Sequence, residues 1–229
     1  MYDVQGQFGS FAQGLAADRQ RVLRNTYWLL ALSMVPTVLG AWIGVSTGIL
    51  ATLGRGPSLI LFLVGAFGLM YLVEKTKNSA AGVASLLAFT FFMGLMLSRL
   101  LSFVLGFSNG PTLIMTAFAG TGAIFLAMAS LATVIKRDLS GMGKFLFIGA
   151  IIMLVAGLVN VFLQSSALML TLMVLSMAVF SAFMVYDVKR IIDGGETNYI
   201  SAALAIYLDI YNVFQNLLAM LGIFGGERD

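Results

Sequence analysis

Two carboxylates stand where an apolar chain tolerates them least. The stretch "IYLDIYNVF" at 206–214 sets Asp209 inside an apolar run that continues to Leu221. The stretch "FMVYDVKRI" at 183–191 sets Asp187 near the end of the preceding run. A carboxylate at the centre of a bilayer costs about 2.5–3.5 kcal/mol on insertion scales, which makes it a functional candidate by default. Asp187 is close enough to a span end to reach the interface. Asp209 lies about nine residues into its span, roughly 13 Å at 1.5 Å per residue. If the two meet they share one proton, because two negative charges a few ångströms apart in low dielectric repel each other. Such a pair is a pH-dependent latch. With its proton it holds two helices together; without it, the pair repels itself or takes a cation. An oxygen-only, sulfur-free site favours a hard cation such as calcium. Two carboxylates alone bind it weakly, so carbonyls or water must complete the shell.

A few other polar groups lie near or within the apolar runs. Glu74 and Lys75 end the second run at the depth expected for Asp187, and Lys75 is either a counter-charge to the pair or a solvated loop end. Arg99 sits some six residues from an outer span end and can snorkel outward. Asn160 and Gln164 are amides at membrane depth, as are Asn212, Gln215 and Asn216. Asn212 shares a helical face with Asp209, and Gln215 and Asn216 continue that face at i+3 and i+4. The stripe points its helix inward, where it either hydrogen-bonds neighbouring helices or lines a polar path.

The elements that must hold these residues follow from composition. Of the 229 residues, 60% are hydrophobic and only 10% charged, against roughly 25% charged in soluble domains. Long apolar runs without short alternating segments make the spans helices rather than barrel strands. Seven spans are predicted, at 26–46, 57–73, 80–103, 112–134, 145–165, 167–188 and 200–223. They form one domain between a cytoplasmic N-terminal tail, 1–25, and a short C-terminal tail, 224–229. The polar first 25 residues lack the cleavage signal of a secretory leader. Gly40-x-x-x-Gly44 offers a small-residue face for close helix packing. In the 189–199 loop, Gly194 and Gly195 stop one helix, and Thr197 or Asn198 can cap the next.

Basic residues set the orientation. Arg19, Arg21 and Arg24, then Lys75 and Lys77, Lys136, Arg137 and Lys144, and Lys189 and Arg190 all fall on one side; Arg55 and Arg228 fall on the other. Positive loops stay inside, so the N-terminus is cytoplasmic and the C-terminus outside, unless the seventh span is re-entrant. The net charge of +3 suits membrane orientation and gives no nucleic-acid footprint.

The chain has neither cysteine nor histidine. That removes disulfides, thiol nucleophiles, histidine-based zinc sites and Ser–His–Asp triads. It also removes the usual pH switch, leaving proton sensing to carboxylates. An intramembrane aspartyl protease is poorly matched. Tyr186-Asp187 fits the first half of its signature, but "AIYL" before Asp209 replaces the Gly-x-Gly of the second. A retinal-type Schiff base has no lysine beyond Lys189 to form it. The expectation is a non-enzymatic protein without a cofactor, beyond transient calcium.

"RVLRNTYWLLALS" at 21–33 and "GGETNYISAALAIYLDIYNVFQNLLAMLG" at 194–222 resemble the Bax inhibitor-1 family, and most of all its proteobacterial branch, which includes an inner-membrane protein associated with the FtsH protease. The most specific match is Tyr207, Leu208, Asp209, Asn212 and Phe214. The resemblance implies an all-α bundle of six helices around a central seventh in the bacterial inner membrane. It implies a pH-sensitive calcium leak gated by an aspartate pair, which falls on Asp187 and Asp209. It also implies a basic residue on the second span that engages the pair, with Lys75 the nearest match. The alternative is a regulator, partner or inhibitor of FtsH without transport activity, with the N-terminal tail as its handle.

Overall fold

The computed structural model describes residues 4–227, and among them there is no strand. Eight helices follow one another: α1 Val4–Thr47, α2 Ile49–Leu53, α3 Arg55–Thr76, α4 Ala80–Leu105, α5 Gly110–Val134, α6 Ser140–Leu163, α7 Ser166–Ile192 and α8 Tyr199–Gly225. All but the short α2 are long and apolar enough to cross a membrane. The chain is an all-helical, multi-pass membrane protein, as its composition requires. Residues 1–3 of the predicted tail, and Arg228 of the charge reading, lie outside the described residues.

Six spans fall within a few residues of their predicted bounds. The first does not: α1 starts at Val4 and runs into the span without a break. Alanine, leucine, glutamine and arginine, all strong helix formers, dominate residues 12–24, and no proline interrupts them. α6 begins at Ser140 rather than at 145. Asp138 accepts hydrogen bonds from the Ser140 backbone N–H at 2.8 Å and from its hydroxyl at 2.9 Å, which starts the helix early. Those same bonds hold the exposed Asp138 carboxyl below the usual carboxylate range.

α1 and α4 form the frame. A Cβ on Gly94 would overlap the carbonyl oxygen of Thr37, and one on Gly40 the carbonyl oxygen of Phe91. Only glycine lets the two backbones touch there, so the Gly40-x-x-x-Gly44 face is used within the chain. α8 packs against α1, α3, α4, α5 and α7, whereas α6 touches only α7. Burial follows the same order: 44% of the most apolar stretch of α4 and of α8 is enclosed, but only 6% of that of α6. Trp28, Trp42, Phe145 and Phe162 point outward, toward lipid.

The two ends of α8 are closed differently. At its C-terminal end Val104, Phe107, Leu113, Ala117 and Leu218 form a separate apolar cluster. Asn109 clasps that end, donating to the Gly225 carbonyl at 2.7 Å and accepting from the Glu227 N–H at 3.1 Å. The N-terminal end is polar.

Candidate functional site

The fold-back between α7 and α8 brings the two carboxylates together. Gly194 takes a positive φ of 82°, a conformation that favours glycine. The Gly195 and Glu196 N–H groups then close onto the Arg190 carbonyl. Asn198 caps α8: its Oδ1 accepts from the N–H groups of Ile200 at 2.9 Å and Ser201 at 3.2 Å. Its amide nitrogen donates to the Lys77 carbonyl at 3.1 Å and to Asn78 Oδ1 at 2.9 Å. One side chain thus starts the helix and ties it to the α3–α4 turn. α8 returns along α7 with Asp209 facing Asp187.

The two carboxyl groups are in side-chain hydrogen-bonding contact. Asp187 is half-buried, and Asp209 is only 3% exposed. Two carboxyl groups at this separation need a proton between them. Without that proton, Asp209 Oδ2 is enclosed and has no hydrogen-bond partner. A buried polar atom in that state costs about 1–3 kcal/mol, so the arrangement stores an unmet demand for a proton, a water or a cation.

Asp187 opens onto a cavity of about 300 Å³ at the polar end of the bundle. Glu74, Lys77, Arg190, Glu196 and Ser201 line it together with an apolar wall that ends at Leu208. Its rim is two ion pairs, Lys77 Nζ to Glu74 Oε2 at 2.7 Å and Arg190 to Glu196 Oε2 at 3.3 Å. The Glu74 carboxylate raises the proton affinity of Lys77 above that of an ordinary lysine. Of the charges predicted beside the pair, Glu74 lines this cavity. Lys75 does not: it is exposed, with its ammonium 6.0 Å from the ring centroid of Tyr71. Adjacent residues diverge by about 100° around a helix, whereas positions 74 and 77 share a face. The base that acts on Asp187 is Arg190, one turn further along α7.

The amides serve their own helices. Asn212 Nδ2 donates to the Leu208 carbonyl at 2.8 Å, and Asn216 Nδ2 to the Asn212 carbonyl at 2.7 Å. Gln215 Nε2 reaches Asn212 Oδ1 at 3.3 Å. Asn160 Oδ1 accepts from the Ser165 N–H at 3.0 Å and so fastens the α6–α7 turn, where Gln164 takes a positive φ. Arg99 is exposed.

Sequence reasoning overlooked the tyrosines. The Tyr207 hydroxyl lies 2.9 Å from Thr37 Oγ1 and donates to the Thr90 carbonyl at 3.4 Å. The Tyr211 hydroxyl donates to the Met93 carbonyl at 3.2 Å. The two rings stack 6.1 Å apart, and Phe89 meets Tyr207 edge-on. Their positions, two residues before and after Asp209, were the available signal. Such positions lie across the helix from the carboxylate, where they bind α8 to the α1–α4 frame. Arg190, Glu196, Lys77 and Ser201 were also missed as lining residues.

Among the described residues no three acidic, histidine or cysteine side chains gather as a metal cluster. The Asp187–Asp209 pair therefore fits a hard cation only with water in its remaining positions.

Comparison with known proteins agrees with the motif at the end of the chain. A membrane protein of Vibrio cholerae is 39% identical over 214 residues, covering 92% of each chain. A protein of Escherichia coli K12 named Modulator of FtsH protease YccA is 36% identical over 202 residues, 88% of this chain and 90% of that one. Its counterpart in Escherichia coli O6:H1, named Inner membrane protein YccA, matches equally well. Residues 19–226 match the family described as Inhibitor of apoptosis-promoting Bax1, a span that takes in both carboxylates and every membrane helix after α1 whole, and the chain belongs to this Bax inhibitor-1 family.

Proposed function

We propose that the protein is a pH-sensitive cation leak of the bacterial inner membrane, with calcium the favoured ion and the Asp187–Asp209 pair as its gate. The observation that carries this reading is the cavity that Asp187 lines, backed by the partnerless Oδ2 of Asp209. A space of about 300 Å³ lined by Asp187, the acid that faces Asp209, is an entrance for a proton or a cation. In this reading the entrance faces the cytoplasm with the N-terminus, which the positive-inside rule supports.

The sign follows from the pair itself. With one proton shared, the carboxyls attract and α7 and α8 stay together. When that proton leaves, two negative charges face each other in low dielectric, and the contact repels or is bridged by a cation. Flux therefore rises with pH. The reading assigns no catalysis and no resident cofactor. Calcium uptake into proteoliposomes, followed across the neutral range, tests it. Wild type should show uptake that grows with pH. Asp209→Asn keeps a donor toward Asp187 and should give low, pH-independent uptake. Equal uptake and an equal pH profile in the two proteins would sink the proposal.

A second reading is carried by the relative named as a modulator of FtsH protease. Here the segment of α1 before Ala16 engages the protease, and the bundle serves as its anchor. Removing residues 1–15 should then abolish any effect on proteolysis and leave ion flux untouched.

A further inference from the structure

A second space, of about 610 Å³, opens along α1 where its apolar stretch begins. Ala17, Gln20, Arg21, Leu23, Arg24 and Tyr27 line it, and it shares no residue with the cavity beside Asp187. Positions 17, 20, 21, 24 and 27 recur every three or four residues, so they stand on one face of the helix. That face changes character along its length. Gln20, Arg21 and Arg24 make a polar mouth. Leu23 and Tyr27 make an apolar floor: both pack on the core, and Tyr27 meets Phe125 of α5 edge-on at 6.1 Å.

Several basic residues of the bundle are engaged elsewhere. Lys77 pairs with Glu74, Lys189 with Asp193 and Arg190 with Glu196, while Arg19 lies against Gly194. Arg21 and Arg24 are exposed, and neither makes an ion pair or hydrogen bond among the described residues. Asp18, the one acid on α1, does not line the groove and pairs with neither arginine. Two open guanidinium forks one turn apart suit an oxyanion, and a phosphate fills such a fork with two parallel hydrogen bonds.

Depth identifies where the phosphate comes from. Trp28 follows Tyr27 and points outward, as aromatic residues do at a membrane surface. Arg24 stands four residues before it and Arg21 seven, about 6 and 10 Å along the helix on the side away from the apolar run. Headgroups lie at this level. A lipid fits the groove in order, with its phosphate at the arginines and its glycerol and first acyl carbons over Leu23 and Tyr27. A free anion would use the mouth and leave the floor empty. A choline or ethanolamine headgroup would bring a cation to two cations, so the groove selects net negative charge.

We propose that this groove on α1 is a binding site for the headgroup of an anionic phospholipid, gripped by Arg21 and Arg24. The site does not depend on what the carboxyl pair conducts.

The two tryptophans of the chain make the test local. Trp28 adjoins the groove, and Trp42 lies about 21 Å further along α1. Full-length Trp42→Phe protein is placed in phosphatidylcholine vesicles that carry a minor share of lipid with brominated acyl chains, either phosphatidylglycerol or phosphatidylcholine. Bromine quenches a tryptophan it touches. Brominated phosphatidylglycerol should quench Trp28 as though enriched about tenfold beside it, and Trp28→Phe protein, which reports Trp42, should show no preference. Arg21→Gln with Arg24→Gln should erase the preference. Lys136→Gln with Arg137→Gln, an equal loss of charge outside the groove, should leave it. Each arginine variant alone should weaken it about threefold and serves if the double variant is unstable. Equal quenching by the two lipids, a preference that survives loss of the arginines, or one that the Lys136 and Arg137 changes also remove would overturn the site. Inorganic phosphate at constant ionic strength should not displace the lipid; if it does, the groove takes the free anion and the lipid proposal falls.

Discussion

On one face of α8 the hydroxyls of Tyr207 and Tyr211 reach the backbone of α4, and Tyr207 also meets Thr37 of α1. On the other face Asp209 meets Asp187 and leaves an oxygen with no partner. Both faces are buried and polar, yet they differ in satisfaction. Neutral groups whose bonds are met make a packed core rigid and unique. An acid pair that depends on one shared proton makes a contact with two states. The contrast teaches which contacts of α8 serve as the fixed support and which as the switch. In the proposed reading the same helix holds fast to α1 and α4 while its grip on α7 answers to pH.

Four substitutions test that contrast, in order of expected effect. Gly94→Ala strikes the frame on which the tyrosines rest. Its methyl would collide with backbone rather than with a movable side chain, so a loss of about 3 kcal/mol is expected, the upper end for overpacking. Thermal unfolding in detergent measures it, and a tolerated alanine would mean that α1 and α4 are not the support. Asp209→Asn strikes the switch. It should flatten the pH dependence of unfolding as well as of flux, and raise stability at neutral pH by about 1 kcal/mol as the partnerless oxygen is relieved. A marked loss of stability would put Asp209 among the supports.

Tyr207→Phe should cost about 1 kcal/mol and leave the pH profile of calcium uptake unchanged. If it shifts that profile as much as Asp209→Asn does, the two faces are not separate. The smallest effect is expected from Asp138→Ala, an exposed position in the loop before α6. Its carboxyl is held below the usual range by Ser140. The stability it lends is thus present at neutral pH and lost as pH falls through the lowered value. Wild type and variant should melt apart at neutral pH, converge in acid, and conduct alike.

The carboxyl pair was legible in the sequence, because a carboxylate in an apolar run declares itself by type alone. The seven spans were legible for the same reason. The support was not. Tyrosine at 207 and 211 looks like any interior aromatic until the carbonyls of Thr90 and Met93 are seen beneath the hydroxyls. The cavity that Asp187 lines was hidden by helix phase: Lys75 is nearer to the pair in the predicted depth, but positions 74 and 77 turn inward together. The amide stripe was correctly placed on a face, yet each Asn212 and Asn216 side chain bonds one turn back along its own helix. Residue type marks where polarity lies, and only the packed neighbours decide what it binds.

The continuity of α1 has a mechanical side. Forty-four residues at 1.5 Å each make a rod about 66 Å long, which carries in one piece the segment before the span, the crossing with α4 and the threonine under Tyr207. Arg19 on this rod lies against Gly194 in the α7–α8 turn; a Cβ there would come within 2.7 Å of its Nε. In the proposed reading, a pull on the part of α1 before the span is therefore passed, through Arg19, to the turn between the two acids.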